Sequence, residues 1–585
     1  MSQRGFGNYD LRPVVTVSGE HRAFVGDDAL RELAGPAEPR LRVAVDAYPG
    51  VDVALLAHQA AGVLSGWRVV VMEDCAKPSD VIDALIAPNL TDDRVFGIMG
   101  HHRLGEFYDD DKLAVLASEI DAEPGPVLVI GWGAVLVPIH FDAVVWADLP
   151  RWEIQQRYRA GLGNWRCDNG GEDILRKYKR GFFVEWRAAD RHKRAHLIEQ
   201  ADHVLDTTRP ETPVLVSADA VRAGLEQAAH RPFRVVPYFD PGTWGGQWMR
   251  EVMGLPDDAP NYAWCFDCVP EENSLVLQIG GVEVELAAIN LVFRHPEELL
   301  GPRVRARFGE EFPIRFDLLD TMEGGNLSLQ VHPLTGYIQD RFGMHYTQDE
   351  SYYLLDAADD AVVYLGVRDD ADPETIIREL RDAEGGGVEF GAEHFVNTFP
   401  AHTHDHFAIP AGTVHCSGAN SMVLEVSATP YIFTFKMWDW GRLGLDGVPR
   451  PVHLDHAQEN IQWNRRRDWV TDNLVGQTQP TGEGEGWREE RTGLHELEFI
   501  ETRRRWISGA APDDTRGTLR VVHLVAGAEA IVESPTGAFE PFVVHYAETF
   551  IIPAAVGAYV VRPHGQAEGG QVATLTAHVR GTETY

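Results

Sequence analysis

Cysteine is scarce in this chain. Cys75, Cys167, Cys265, Cys268 and Cys416 are spread over 585 positions, too few and odd in number for the disulfide framework of a secreted protein. A reducing, cytoplasmic setting is therefore expected. Long apolar runs are missing too: the longest, Val127 to Phe141, is broken by Gly131, Gly133 and Pro138, so neither a membrane span nor a targeting segment is expected. Positive charge is in short supply, with 52 Lys and Arg against 89 Asp and Glu for a net charge of -37. Such a chain repels nucleic-acid backbones and anionic lipid surfaces, and neither is an expected partner. No G-x-x-x-x-G-K-[ST] phosphate loop occurs anywhere, which removes the lysine and hydroxyl that hold nucleotide phosphates and Mg²⁺ in such loops.

What is present is ample core material, 44% hydrophobic and 10% aromatic residues, in a length that predicts about three or four packed units. From about Leu41 to Asp206, short β-branched runs (LRVAV, WRVVVM, PVLVI, DAVVWADL) alternate with helix-like stretches, the pattern of a parallel sheet with crossover helices. After Arg231 come strands punctuated by Gly and Pro, among them VLQIGGVEVEL, LSLQVHP, HFAIPAG and MVLEVSA, which read as antiparallel β. The polar stretch VGQTQPTGEGEGWREERTG reads as a loop near or within a domain border, before a further strand-rich run. The expected division is a lead segment 1–40, an α/β domain 41–230, a metal-binding β domain 231–450 and a second β domain 451–585. Two Ile-Pro-Ala turns, Ile409 to Ala411 and Ile552 to Ala554, hint that the two β domains are related.

The chemistry gathers in the first β domain. Gln330 and His332 lie two apart on a presumed strand and project from one face. Glu350 opens the strand-like ESYYLLD, and His415 follows a Pro/Gly turn, Pro410-Ala-Gly412-Thr-Val-His415. Two imidazoles, one amide and one carboxylate can hold a divalent ion with positions left for substrate. Each piece alone is an ordinary strand residue, and the pattern is specific only as a set.

The stretch from about Pro232 to Arg450 resembles the type I mannose-6-phosphate isomerases, metal-dependent enzymes of the cupin superfamily. The family's Trp-Gly-Gly opening is similar to Trp244-Gly245-Gly246, its Leu-Ser-x-Gln-x-His-Pro to Leu327–Pro333, its Pro-Ala-Gly-Thr-x-His to Pro410–His415, and its Tyr-Arg-x-Tyr-Asp-x-x-Arg to Phe435–Arg442. The resemblance implies a double cupin, or jelly-roll, with one Zn²⁺ per chain on Gln330, His332, Glu350 and His415, Arg442 as the active-site arginine, and a sugar phosphate as substrate. Such a site keeps net positive charge, and a cation beside the sugar oxygens assists proton transfer between C1 and C2. Two family lysines are replaced here, by Gln348 and by Asp317, which bears more on the name of the sugar than on the reaction class.

Other features invite weaker readings. His402, His404 and His406 would align on one face of a strand, at the rim of the site or at a second metal. Cys265 and Cys268 read as buried thiols, and the second β domain as a cupin without a metal. In the α/β domain, Asp46-Ala-Tyr48-Pro49-Gly50-Val-Asp52 stands where a phosphate loop would, and Asp148 to Arg159 resembles the arginine-bearing lid entry of nucleoside or nucleotide kinases. This part is expected to fold like such a P-loop kinase, degenerate and without its chemistry. Lys177, Lys179, Arg180, Arg187, Arg191, Lys193 and Arg194 form a basic cluster, expected to be a solvated helix face, with phosphate-ligand binding the other possibility. Three functions follow: an aldose–ketose isomerase, most directly of mannose 6-phosphate to fructose 6-phosphate; a sugar- or nucleotide-sensing protein without turnover; and a cupin oxygenase using Fe(II), against which Gln330 and the Trp-Gly-Gly both argue.

Overall fold

A computed structural model describes residues 7–584 apart from 36–37, 385–387, 446 and 448–449. The unassigned positions include part of the expected lead segment, and that part lies outside the described residues. The chain forms two compact bodies, one of Val14–Ala228 with Pro270–His295, the other of Met1–Pro13, Ala229–Val269 and Pro296–Tyr585.

The first body is built on a seven-stranded sheet ordered Ala23–Val25, Val214–Ser217, His203–Asp206, Ala143–Asp148, Arg42–Ala47, Val127–Gly131, Arg68–Val71. The five strands from His203–Asp206 to Arg68–Val71 are mutually parallel, and the first two pair antiparallel at one edge. Arg42–Ala47 is buried at every residue, as a central parallel strand covered on both faces requires, and its two charged residues, Arg42 and Asp46, are buried with it. The helix Val53–Val63 behind it starts at Asp52, whose carboxylate accepts from Leu55 N–H.

Three expected boundaries move. Ala23–Val25 and the helix Asp27–Ala34 belong to this body rather than to a separate lead, because the strand covers the outer edge of Val214–Ser217. The run VLQIGGVEVEL forms the hairpin Ser274–Ile279/Val282–Ala287, turned by Gly280 and Gly281 at φ 57° and 82°, the two-residue turn that only positive φ allows. It was expected in the metal-binding domain, but pairs with Val14–Thr16 in this body; its Leu277 packs so closely on the helix Ala218–Ala229 that a Cβ on Gly224 would lie 2.7 Å from it.

The second body holds four sheets. A six-stranded sheet runs His406–Ile409, Glu350–Ala357, Ser421–Ala428, Ile314–Asp320, Trp264–Cys268, Tyr238–Asp240, and a five-stranded sheet runs Val396–Pro400, Val362–Val367, His415–Ser417, Leu329–Val331, Phe435–Trp438. Every pairing in them is antiparallel. The C-terminal pair of sheets has six and four strands around an apolar interior that includes Ile507, Val522, Leu524, Val532 and Phe550.

The expected border at 450/451 does not separate two bodies. Asp267 on the first β part accepts from Tyr9 O–H at 2.8 Å and from Thr549 N–H at 2.8 Å, and Arg234 pairs with Glu548 at 2.7 Å. These buried charges are satisfied only with both β parts in place. The polar stretch read as a loop contains a hairpin, Gln479–Gly484 with Trp487–Thr492, that pairs onto Ile500–Ile507. It lies at the sheet edge with Gln479–Gly484 largely exposed, so it carries no apolar alternation by which the sequence could announce it.

Candidate metal centre

Gln330, His332, Glu350 and His415 come together. Among the described residues, His332, Glu350 and His415 are the group of three or more His, Cys, Asp or Glu side chains whose ligand atoms all lie within 4.8 Å of one another. Leu329–Val331 and His415–Ser417 are neighbours, with Gln330 directly opposite His415, and the Gln330 amide lies 3.3 Å from His415 Nε2. Glu350 arrives from the other sheet, with Oε2 3.2 Å from His332 Nε2 and Oε1 2.7 Å from His415 Nε2. Gly412 makes the turn before His415 at φ 87°, where a Cβ would meet Gln462 at 2.7 Å.

The protonation pattern points to a cation. His332 Nδ1 donates to the Phe433 carbonyl at 3.1 Å and His415 Nδ1 to the Thr413 carbonyl at 2.8 Å, which leaves each neutral ring with its lone pair on Nε2. Two Nε2 lone pairs then face a carboxylate in a buried space. His332 Nε2 and Glu350 Oε1 have no hydrogen-bond partner there. Acceptors facing acceptors repel unless positive charge sits between them, and the His, His, carboxylate and amide set fits a divalent ion.

Around this group lie Gln348 and Asp317 together with two buried charges that the sequence motifs did not include, Arg315 and Glu425. Gln348 donates to Glu350 Oε2 at 2.9 Å and to Glu425 Oε1 at 3.3 Å. Asp317 pairs with Arg315 at 3.1 Å, and Arg315 also pairs with Glu425. Burial pushes Asp317 up to about 7, against the pull of Arg315; burial and then the Glu350 charge push Glu425 well above the usual carboxylate range. Arg315 is two residues from Asp317 on one strand, so a buried cation remains where the family's lysine is absent. Glu425 was legible as a lone charge inside the apolar MVLEVSA. Lys436 lies opposite Gln330 across the antiparallel pair Leu329–Val331/Phe435–Trp438, placing its side chain on the ligand face.

Arg442 lies at the turn after Phe435–Trp438. Its Nη2 donates to Asp439 Oδ1 at 2.7 Å, its Nη1 to the Asn326 carbonyl at 2.7 Å and its Nε to the Asp439 carbonyl at 3.1 Å. The three nearby histidines do not align: His402 is exposed on a turn, His404 has φ 74° and bonds Tyr353 O–H at 2.9 Å, and only His406 lies in a strand, fully buried against Ser351 and Thr492. Cys265 and Cys268 are buried.

In the α/β body the expected phosphate-loop position is occupied by the chain's own groups. Asp46 accepts from Gly133 and Val135 N–H at 3.2 and 3.1 Å and sits 3.0 Å from His192 Nε2, while Tyr48 O–H donates to Asp190 at 2.8 Å. A Cβ on Gly50 would meet Ile154 at 2.7 Å. Arg157 is committed to the Gly50 and Thr207 carbonyls at 2.9 and 2.6 Å. The basic cluster is not a solvated face: Lys177, Lys179, Arg180 and Lys193 are buried, Lys177 donating to the Tyr158, Leu162 and Gly170 carbonyls and Lys193 to Asp148 at 2.8 Å. Buried cations need such partners, and spacing alone could not reveal that carbonyls would supply them.

A family described as a domain of unknown function (DUF8485) matches residues 27–230. The chain is 26% identical over 235 residues to the probable mannose-6-phosphate isomerase GmuF of Bacillus subtilis, covering 39% of this chain and 68% of that protein. It is 26% identical over 216 residues to a mannose-6-phosphate isomerase of Streptococcus mutans, covering 37% of this chain and 62% of that protein. The match therefore spans about two thirds of these relatives, and this chain is their homologue over that stretch. Among solved structures, the mannose 6-phosphate isomerase of Bacillus subtilis aligns with a TM-score of 0.47 and 18% identity over 60% of this chain and 100% of that one. A zinc-bound mannose 6-phosphate isomerase aligns with a TM-score of 0.43 and 14% identity over 59% of this chain and 99% of that one. No helix among the described residues is long and apolar enough to cross a membrane.

Proposed function

We propose that this protein is a metal-dependent aldose–ketose isomerase of a sugar phosphate, interconverting mannose 6-phosphate and fructose 6-phosphate, with zinc held by Gln330, His332, Glu350 and His415. The observation that carries the reading is the convergence of two Nε2 lone pairs and a carboxylate in one buried group. The relatives named as mannose-6-phosphate isomerases support the substrate class. When bound, the metal supplies Lewis acidity toward the sugar oxygens.

The chain's own groups do the rest. The carbonyls of Phe433 and Thr413 fix both imidazoles in the ligand tautomer. Glu425, whose basicity burial and the Glu350 charge raise well above that of an ordinary carboxylate, takes the proton from one carbon as its carboxylate and returns it from the resulting acid to the other, so that the proton passes between C1 and C2 with no net change at Glu425. Lys436, opposite Gln330, supplies positive charge as the enediolate forms. Arg442 supplies a second, planar cation.

The loss of two family lysines at Asp317 and Gln348 favours one other reading, a sugar sensor without turnover. Metal analysis of the purified protein together with proton exchange of hexose and pentose phosphates in heavy water separates the two. Stoichiometric zinc with exchange at C1 or C2 of mannose 6-phosphate supports the isomerase; zinc without exchange of any sugar phosphate moves the sensor ahead.

A further inference from the structure

The inner face of the C-terminal pair of sheets changes character along its length. On the adjacent strands Ile500–Ile507, Val572–Val579 and Arg520–Ala526, Ile507 stands opposite Val572, and Thr576 opposite both Arg503 and Val522, so these side chains share a face. At one end that face carries the apolar Ile507, Val572 and Leu524. At the other end Glu501 stands opposite His578, with Arg503, Arg505 and Arg520 on the same face at period two. Beyond the strand the backbone turns at Gly581, φ 73°, and brings the buried Glu583 back to this charged end. Arg520 Nη2 donates to Glu583 Oε1 at 2.6 Å, while Arg503 Nη2, Arg516 Nη1 and His578 Nε2 lie 3.5, 3.9 and 3.9 Å from the same carboxylate. Glu501 answers Arg503 and Arg580 at 2.8 and 3.3 Å, and Glu489 and Asp513 answer Arg505. Glu583 is thus the anion on which three arginines, from two strands and a turn, converge.

One carboxylate does not satisfy this group. Arg520 Nε and His578 Nδ1 have no hydrogen-bond partner, although the two side chains are only 4% and 1% exposed. Burial, then the charges of Arg520, Arg503, Arg580 and Arg516, hold His578 well below the usual imidazole range. The field that keeps a proton off this ring attracts an anion. A carboxylate brings two oxygens and one charge, whereas a phosphate group brings three terminal oxygens and nearly two charges near neutral pH. We infer that the charged end of the C-terminal pair of sheets is a binding site for a phosphate dianion, in which Glu583 stands as the chain's own exchangeable anion. Arg520 presents Nε and Nη2 as the parallel donors that suit such a group, and His578 adds a ring nitrogen for a further oxygen. None of these strands belongs to the two sheets that bring together Gln330, Glu350 and His415, so the site is separate from the candidate metal centre and does not rest on the isomerase reading. The backbone around Glu583 is held independently of its carboxylate, by the Thr518–Thr582 hydroxyl pair at 2.7 Å and by Thr584 N–H on the Arg516 carbonyl at 2.8 Å.

The test compares the metal-loaded parent with Glu583→Ala, Glu583→Gln and the double variant Glu583→Ala/Arg520→Met, by calorimetric titration of inorganic phosphate and by thermal unfolding at fixed ionic strength with chloride as the reference anion. Removing the Glu583 charge leaves Arg520 buried without its partner, so both single variants are expected to unfold at lower temperature than the parent in chloride and to regain most of the loss in phosphate. Phosphate is expected to bind Glu583→Ala at least tenfold more tightly than the parent, and that gain to vanish in the double variant. Glycerol phosphate titrated alongside identifies the source: tighter binding than inorganic phosphate assigns the site to the terminal phosphate of a small metabolite, weaker binding to the free ion, and either order keeps the site. Affinity of Glu583→Ala within twofold of the parent, a gain retained in the double variant, or equal unfolding temperatures in chloride and phosphate would overturn it. Should Glu583→Ala fail to fold, Glu583→Gln and Glu583→Gln/Arg520→Met decide by the same comparisons.

Discussion

Glu350 Oε1 lies 2.7 Å from His415 Nε2, although the two residues stand on different sheets of the second body. The contact closes the candidate group across the space between those sheets, since Gln330 stands directly opposite His415 while Glu350 reaches in from the other sheet. Glu350→Gln is expected to lower metal affinity about 10- to 100-fold or more, the range for disturbing even the supporting partners of a ligand. Competition with a chelating dye measures this, and unaltered affinity contradicts the role.

Arg442 offers a planar fork rather than a point charge. Arg442→Lys is expected to lower kcat/KM well beyond tenfold, each tenfold being about 1.4 kcal/mol of transition-state stabilisation. Steady-state kinetics with mannose 6-phosphate check it. Turnover like the parent's removes Arg442 from the site.

His406 contributes to the acid limit of the second body, alongside the buried His523 and His578, whose pKa values burial also lowers. Burial, with Arg504 adding to it, lowers the pKa of His406 to about 3, and it stays neutral between Ser351 and Thr492. Its unfolded counterpart takes up a proton below about 6.5, so stability is fully present above that pH and falls as pH drops toward about 3, by up to about 1.4 kcal/mol per pH unit. Urea unfolding at pH 7.5 and pH 5 is expected to show this loss, and His406→Gln to reduce it. An equal slope in the variant contradicts the assignment.

Gly493 faces the same ring. Its φ is 79°, and a Cβ there would run into the His406 imidazole. Gly493→Ala is expected to cost about 2 to 4 kcal/mol through backbone strain and overpacking. Thermal unfolding tests it, an unchanged Tm being the contrary result.

The four grouped residues were legible as candidates because each sat in a local pattern: Gln330 and His332 at period two, Glu350 at a strand start, His415 behind a glycine turn. Their convergence also needed the resemblance, since no local rule pairs residue 330 with 415. Lys436 was unreadable as a site residue because its place depends on a register containing a bulge. The hairpin Ser274–Ile279/Val282–Ala287 was read correctly as strand and assigned to the wrong body, because apolar alternation does not say which sheet will cover it. The basic cluster failed for the opposite reason: Lys177 and Lys179 are satisfied by backbone carbonyls and Lys193 by Asp148, pairings that composition does not record.

The α/β body is expected to show no phosphotransfer. Asp46 is already bonded to Gly133, Val135 and His192, and Arg157 to backbone carbonyls. Without a phosphate-cradling loop, a lysine and a Mg²⁺-binding hydroxyl, the groups that supply the rate are gone. ATP with Mg²⁺ should neither be hydrolysed above background nor alter isomerisation. Mg²⁺-dependent phosphotransfer abolished by Asp46→Ala would reverse this reading.

The central claim is that Gln330, His332, Glu350 and His415 hold one metal ion. The most direct measurement is elemental analysis of the purified parent beside His332→Ala and His415→Ala, each checked for folding by circular dichroism. One equivalent of zinc in the parent, and loss of most of it in both folded variants, is the predicted result. Stoichiometric metal retained in both variants would contradict the claim.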